Sequence, residues 1–125
     1  MKVLMVGFGG FLGATARYLA GGWLQRRWSE AFPAGTLVIN VAGCLLIGVA
    51  MVLIEQGEIL GPRARVFWTV GFLGAMTTFS TFGYETLELL RSGNRYLALA
   101  NVLLNVVLGL TAVAVGRTAT RAILG

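Results

Sequence analysis

The sequence predicts an all-α membrane protein of four transmembrane helices, and three observations carry that prediction. Of its 125 residues, 57% are hydrophobic and only 12% charged, with a mean hydropathy of +0.80. A soluble domain carries about 25% charged residues. The apolar residues gather in runs near the length that crosses a hydrocarbon core of roughly 30 Å. The basic residues punctuate those runs in pairs: Arg26 and Arg27, Arg63 and Arg65, Arg91 and Arg95, Arg117 and Arg121.

With a net charge of +5, that placement matches membrane flanks. A nucleic-acid partner is excluded, because it calls for basic residues clustered on one face. One domain covers residues 1–125. The chain has no histidine, and its single cysteine, Cys44, sits inside an apolar run. No intrachain disulfide can form, and no nucleophile–base pair suggests itself, so an enzyme ranks last.

The first helix is expected over about 3–24, with Gly9 and Gly13 in a GxxxG spacing that lets a neighbouring backbone come close. A competing reading is a signal peptide, with Lys2, the apolar run from Val3, and Ala14-Thr15-Ala16 as cleavage site. Against it stand the single lysine, Arg17 directly after the cut, and the apolar sequence that resumes from Tyr18 to Leu24. The second helix is expected over about 35–54, just after Pro33, with Gly43 and Gly48 as its small residues. The third, over about 66–90 and following Pro62, opens with Gly71 and Gly74. The fourth, over about 97–115, carries Gly109, Ala112 and Gly116 along its length.

Four spans put Lys2, Arg63, Arg65, Arg117 and Arg121 on one side, and Arg26, Arg27, Arg91 and Arg95 on the other. Lys and Arg bias normally sets orientation. Here the sides nearly balance, which predicts a dual-topology chain inserted both ways and, from it, an antiparallel homodimer in membrane lipid.

Polar residues inside spans are expensive and therefore candidates for function. The run Thr77-Thr78-Phe79-Ser80-Thr81-Phe82 lies in the middle of the third span. A continuous helix there would be about 37 Å long, more than the membrane core needs. Its hydroxyls can serve freed backbone groups at a central break, which lipid tolerates only where buried or lining a cavity. An intact helix with Ser and Thr bonded back to their own turn is the equal alternative. Thr36 and Asn40 lie one turn apart in the second span, and Asn101 and Asn105 in the fourth. An interhelical hydrogen bond explains any one of these neutral donors; together they exceed what packing requires. Arg17 either snorkels to the interface or draws anions to an aqueous vestibule. Glu85 and Glu88 share a late face of the third helix, at the interface or paired with an arginine.

Three stretches resemble the CrcB/Fluc fluoride channel family: GGFLGATARY from Gly9 to Tyr18, GTLVIN from Gly35 to Asn40, and GFLGAMTTFSTF from Gly71 to Phe82. The similarity runs through the whole chain in order, and the three motifs together are specific. The resemblance implies a multi-pass channel of the bacterial inner membrane. It implies a dual-topology homodimer with two antiparallel pores through which fluoride leaves the cytoplasm passively, protecting against its toxicity. On the matching positions, Asn40, Phe79 and Phe82 line the pore, and Ser80 and Thr81 contribute to its polar side. Thr36, Asn101 and Asn105 are further candidates for that lining. Gly74 and Thr77 fall where the family offers backbone carbonyls to a central structural Na+. Arg17 matches the vestibule arginine, and Glu85 the acidic position after TTFSTF. One departure stands out: the family often has a tyrosine where Asn101 aligns.

These residue types suit the ion. Fluoride is small, hard and strongly hydrated, so a pore must replace its water with donors that still release it. Amides and hydroxyls do this without a trapping charge, and a phenylalanine presents a positive ring edge. Periodicity alone reads Phe79 and Phe82 as packing. A small multidrug-type transporter, the main alternative, needs a carboxylate in its first helix, where this chain has Arg17 and no acid. A non-transporting scaffold would leave the polar spans unexplained.

Overall fold

The computed structural model describes residues 1–28, 30–57 and 61–125, and every regular element among them is helical. Helix α1 (Lys2–Trp28) is α-helical to Ala16, widens into a π-type turn over Arg17–Gly21, and closes again from Gly22. Helix α2 spans Ala34–Glu55. Helix α3 (62–76) starts with Pro62, whose missing N–H costs nothing in a first turn, and is π-wound over Val66–Leu73. Helix α4 spans Phe79–Arg91, and α5 spans Arg95–Leu124. The turn between them uses Gly93 at φ 85°, a left-handed value that favours glycine.

Helices α1, α2 and α5 are long and apolar enough to cross a membrane. The third expected span is shared by α3 and α4, and counting these together gives four helices. Several ends lie beyond the expected positions. α1 continues to Trp28, with Arg26 and Arg27 in its last turn, where basic side chains complement the helix dipole. α5 runs on from about residue 115 to Leu124. There Thr118 and Thr120 bond back to the carbonyls of Ala114 and Gly116. Arg117 and Arg121 pair with Glu55 of α2 at 3.0 and 3.2 Å.

Packing is organised by glycine. Helix α1 lies along α3, and α2 along α5. A Cβ added at Gly9 would sit 2.6 Å from the Phe67 carbonyl oxygen, and one at Gly13 would run into the Phe72 backbone. Gly48 meets the Val113 carbonyl and Gly116 the Leu45 carbonyl in the same way. In lipid no hydrophobic force pulls helices together, so backbone approach of this kind carries their association. Ile39, Leu73 and Met76 form the small apolar core. The arrangement is otherwise inverted relative to a soluble domain. Asn101 is fully buried at 0% exposure, while Leu103, Val106, Val107 and Leu110 of the same helix face outward.

Candidate functional site

The site is built where α3 gives way to α4. Thr77 (φ −83°, ψ 154°) and Thr78 (φ −149°, ψ 119°) are extended, so the helical ladder stops at Met76 and restarts at Phe79. The Thr78 backbone groups displaced there find a side chain. Asn40 of α2 lies opposite Thr78: its Oδ1 accepts from the Thr78 N–H at 2.9 Å, and its Nδ2 donates to the Thr78 carbonyl at 3.2 Å. The Thr78 hydroxyl caps α4 by accepting from the Thr81 N–H at 3.2 Å, and it also contacts the hydroxyls of Ser80 and Thr81. Gly43 lets this segment reach α2, because the Thr77 methyl occupies the place its Cβ would take.

The consequence concerns two carbonyls. In a continuous helix the Thr78 N–H would serve the Gly74 oxygen, and the Thr81 N–H the Thr77 oxygen. Here the first amide goes to Asn40 and the second to the Thr78 hydroxyl. Gly74 is exposed and brings no side chain to cover the spot. The Thr77 carbonyl lies 3.5 Å from Nη1 of Arg17, which sits at the start of the π-type turn in α1.

From Asn40 a file of amides runs across α5 to α4. Asn40 Nδ2 donates to Asn105 Oδ1 at 3.1 Å. Asn105 Nδ2 donates to both the Oδ1 and the backbone carbonyl of Asn101, at 3.0 and 2.9 Å. Asn101 Nδ2 donates to the Thr86 hydroxyl at 2.9 Å, which donates to the Phe82 carbonyl at 2.8 Å. Every link points the same way, and such chains polarise one another.

Two cavities flank Thr78. The first, about 380 Å³, is lined by Asn40, Gly74, Thr77, Phe79, Phe82 and Asn105 among others, with Cys44 in its wall. The rings of Phe79 and Phe82 lie 5.5 Å apart on its rim, and Phe79 is 83% exposed. The second, about 290 Å³, gathers Arg17, Thr36, Thr81 and Glu85. There the Thr36 hydroxyl donates to Glu85 Oε1 at 2.8 Å, while Glu85 Oε2 is buried without a hydrogen-bond partner among the described residues.

The residues singled out in the sequence therefore fall into two groups around one threonine. Ser80 is exposed beside them, and Asn101 lines neither cavity but sits behind Asn105. Thr78, one of the hydroxyls expected to serve freed backbone groups, does so by capping α4; that it also touches both cavities was not foreseen. Thr86 was missed and carried no signal, since only the fold brings it to Asn101.

A family model described as CrcB-like protein, Camphor Resistance (CrcB), matches residues 4–117. The chain belongs to the CrcB family. Among its relatives is the fluoride-specific ion channel FluC 3 of Methanosarcina barkeri, 44% identical over 93% of this chain and 87% of the relative. The fluoride-specific ion channel FluC of Clostridium perfringens strain 13 is 40% identical over 97% and 94%. That of Solibacter usitatus is 45% identical over 97% and 99%. In this CrcB chain the helix interruption, the amide file and both cavities all lie within the matched residues.

Proposed function

We propose that the chain is the subunit of a fluoride-selective channel that lets fluoride leave the cytoplasm passively and so protects the cell from its toxicity. The observation that carries this reading is the set of relatives described as fluoride-specific ion channels, 40% to 45% identical along nearly the whole chain. It is a channel and not an enzyme. The protein is multi-pass, and its place is the cell membrane, the inner membrane in a bacterium.

The arrangement around Thr78 suits such an ion. Fluoride leaving water meets the hydroxyls of Ser80 and Thr81 and the amide of Asn40, with Thr36, which donates to Glu85, and Asn105, which donates to Asn101, lining the path beside them. Phe79 and Phe82 offer ring edges. Arg17 beside the second cavity draws the anion in from a vestibule. Asn101 acts through Asn105, and Glu85, held by Thr36, sets the polarity of that vestibule wall.

The working unit is an antiparallel homodimer of subunits inserted in both orientations, a reading supported by the balanced Lys and Arg and by the outward-facing apolar residues of α5. Helices α3 and α4 form one span broken at the bilayer centre. The carbonyls of Gly74 and Thr77, relieved of their helical partners, fit a central Na+: they are neutral, hard oxygen donors at a broken helix. Two such pairs, one from each subunit, would surround it. Bound there, Na+ supplies a fixed positive charge that offsets the converging carbonyl dipoles.

Expression in cells stripped of their own fluoride exporter tests the reading. Growth in otherwise inhibitory fluoride is the expected result. A membrane-inserted, folded protein that leaves growth inhibited would contradict it.

A further inference from the structure

We propose that Asn101, anchored on Thr86, is a positioning residue that keeps the Asn105 amide oxygen turned toward Asn40, where it competes with fluoride and speeds its release. The inference rests on the channel reading above and deepens it.

The bonds of the amide file carry the argument. Asn40 Nδ2 has two hydrogens, and both are engaged, by the Thr78 carbonyl and by Asn105 Oδ1. Asn105 Nδ2 likewise spends both hydrogens on Asn101. An anion entering the first cavity therefore finds no free amide donor and must displace an internal acceptor. The bond to Asn105 is the one that can yield, because the Thr78 carbonyl belongs to backbone held from both sides by Asn40.

Asn105 keeps its oxygen toward Asn40 only because two acceptors on Asn101 hold its NH2 the other way. Asn101 in turn is held by its own NH2 on Thr86, at 2.9 Å and with no exposure to solvent. Neither Asn101 nor Thr86 lines either of the two cavities beside Thr78, so both act there through another residue. A pore must bind its ion weakly enough to let it leave, and a built-in competitor worth one net hydrogen bond does that. Without the anchor the Asn105 NH2 keeps only the residue 101 backbone carbonyl as a fixed acceptor, the amide turns more readily, and an N–H replaces the competing oxygen at Asn40 for part of the time. Fluoride then binds tighter and leaves more slowly.

The test is the current through reconstituted channels in planar bilayers as fluoride is varied, for wild type, Asn101→Leu, Thr86→Val and Thr86→Ser. The fluoride concentration for half-maximal current should fall about tenfold in Asn101→Leu and in Thr86→Val. Maximal current should fall with it, and Thr86→Ser, which keeps the hydroxyl, should behave as wild type. A lower current with unchanged or weaker half-saturation in the folded variants would assign Asn101 a merely structural role and overturn the proposal, as would identical behaviour of Thr86→Val and Thr86→Ser. If Asn101→Leu fails to fold, the Thr86 pair decides alone. Absence of fluoride current in wild type would instead sink the channel reading itself.

Discussion

At the residue scale, Asn40 holds the site together, because one amide replaces the two backbone bonds that Thr78 gives up. Removing it leaves a buried N–H and C=O without partners, which costs about 1–3 kcal/mol. Asn40→Leu should therefore lower the thermal stability of the detergent-solubilised protein as well as its fluoride flux. Stability equal to wild type would mean that α3 and α4 part without its help. Phe79 and Phe82 make a different prediction, since neither is buried in the apolar core. Phe79→Ile or Phe82→Ile should reduce fluoride flux by at least about tenfold, as loss of favourable ring-edge contact implies. The proposed dimer should remain assembled on a sizing column. Unchanged flux in both variants would remove the rings from the pathway.

Asn40 and Asn105 were legible in the sequence as polar residues in apolar spans, whereas Phe79 and Phe82 read as packing by periodicity and stood out only through the family resemblance; the four do share one cavity. Which way Asn101 points was not legible. It lies one turn from Asn105, so spacing puts both on one face. Only the position of Thr86 on α4 decides that Asn101 turns inward.

At the scale of elements, glycine sets how close the helices come. A side chain at Gly13 would have to displace the Phe72 backbone, which no rotamer can relieve. Gly13→Val should thus cost about 1–3 kcal/mol or more and appear as a lower melting temperature or as aggregated protein. A melting temperature within a degree of wild type would show that α1 and α3 can separate freely. Spans and their small residues follow from local composition, which is why the helices were visible in outline. The interruption at Thr77 and Thr78 was balanced against an intact helix for a physical reason. Its stabilising partner, Asn40, is 38 residues away, and no local pattern reports a tertiary bond. The far end of α5 escaped notice likewise, since its last turns rest on Glu55 of another helix.

At the scale of the whole molecule, the balanced basic residues predict that tags on the C-terminus report both sides of the membrane within one population. A single location in all molecules would contradict dual topology and the antiparallel dimer with it. The Gly74 and Thr77 carbonyls predict that exchanging Na+ for a large organic cation lowers both flux and dimer stability. Full activity and stability in verified sodium-free conditions would leave those carbonyls without an ion. The most direct test of the whole account is efflux from liposomes containing the purified protein and loaded with either fluoride or chloride, followed with ion-selective electrodes. Rapid fluoride efflux with little chloride leak is the predicted result. Folded protein that releases neither ion, or both alike, would contradict a fluoride-selective channel.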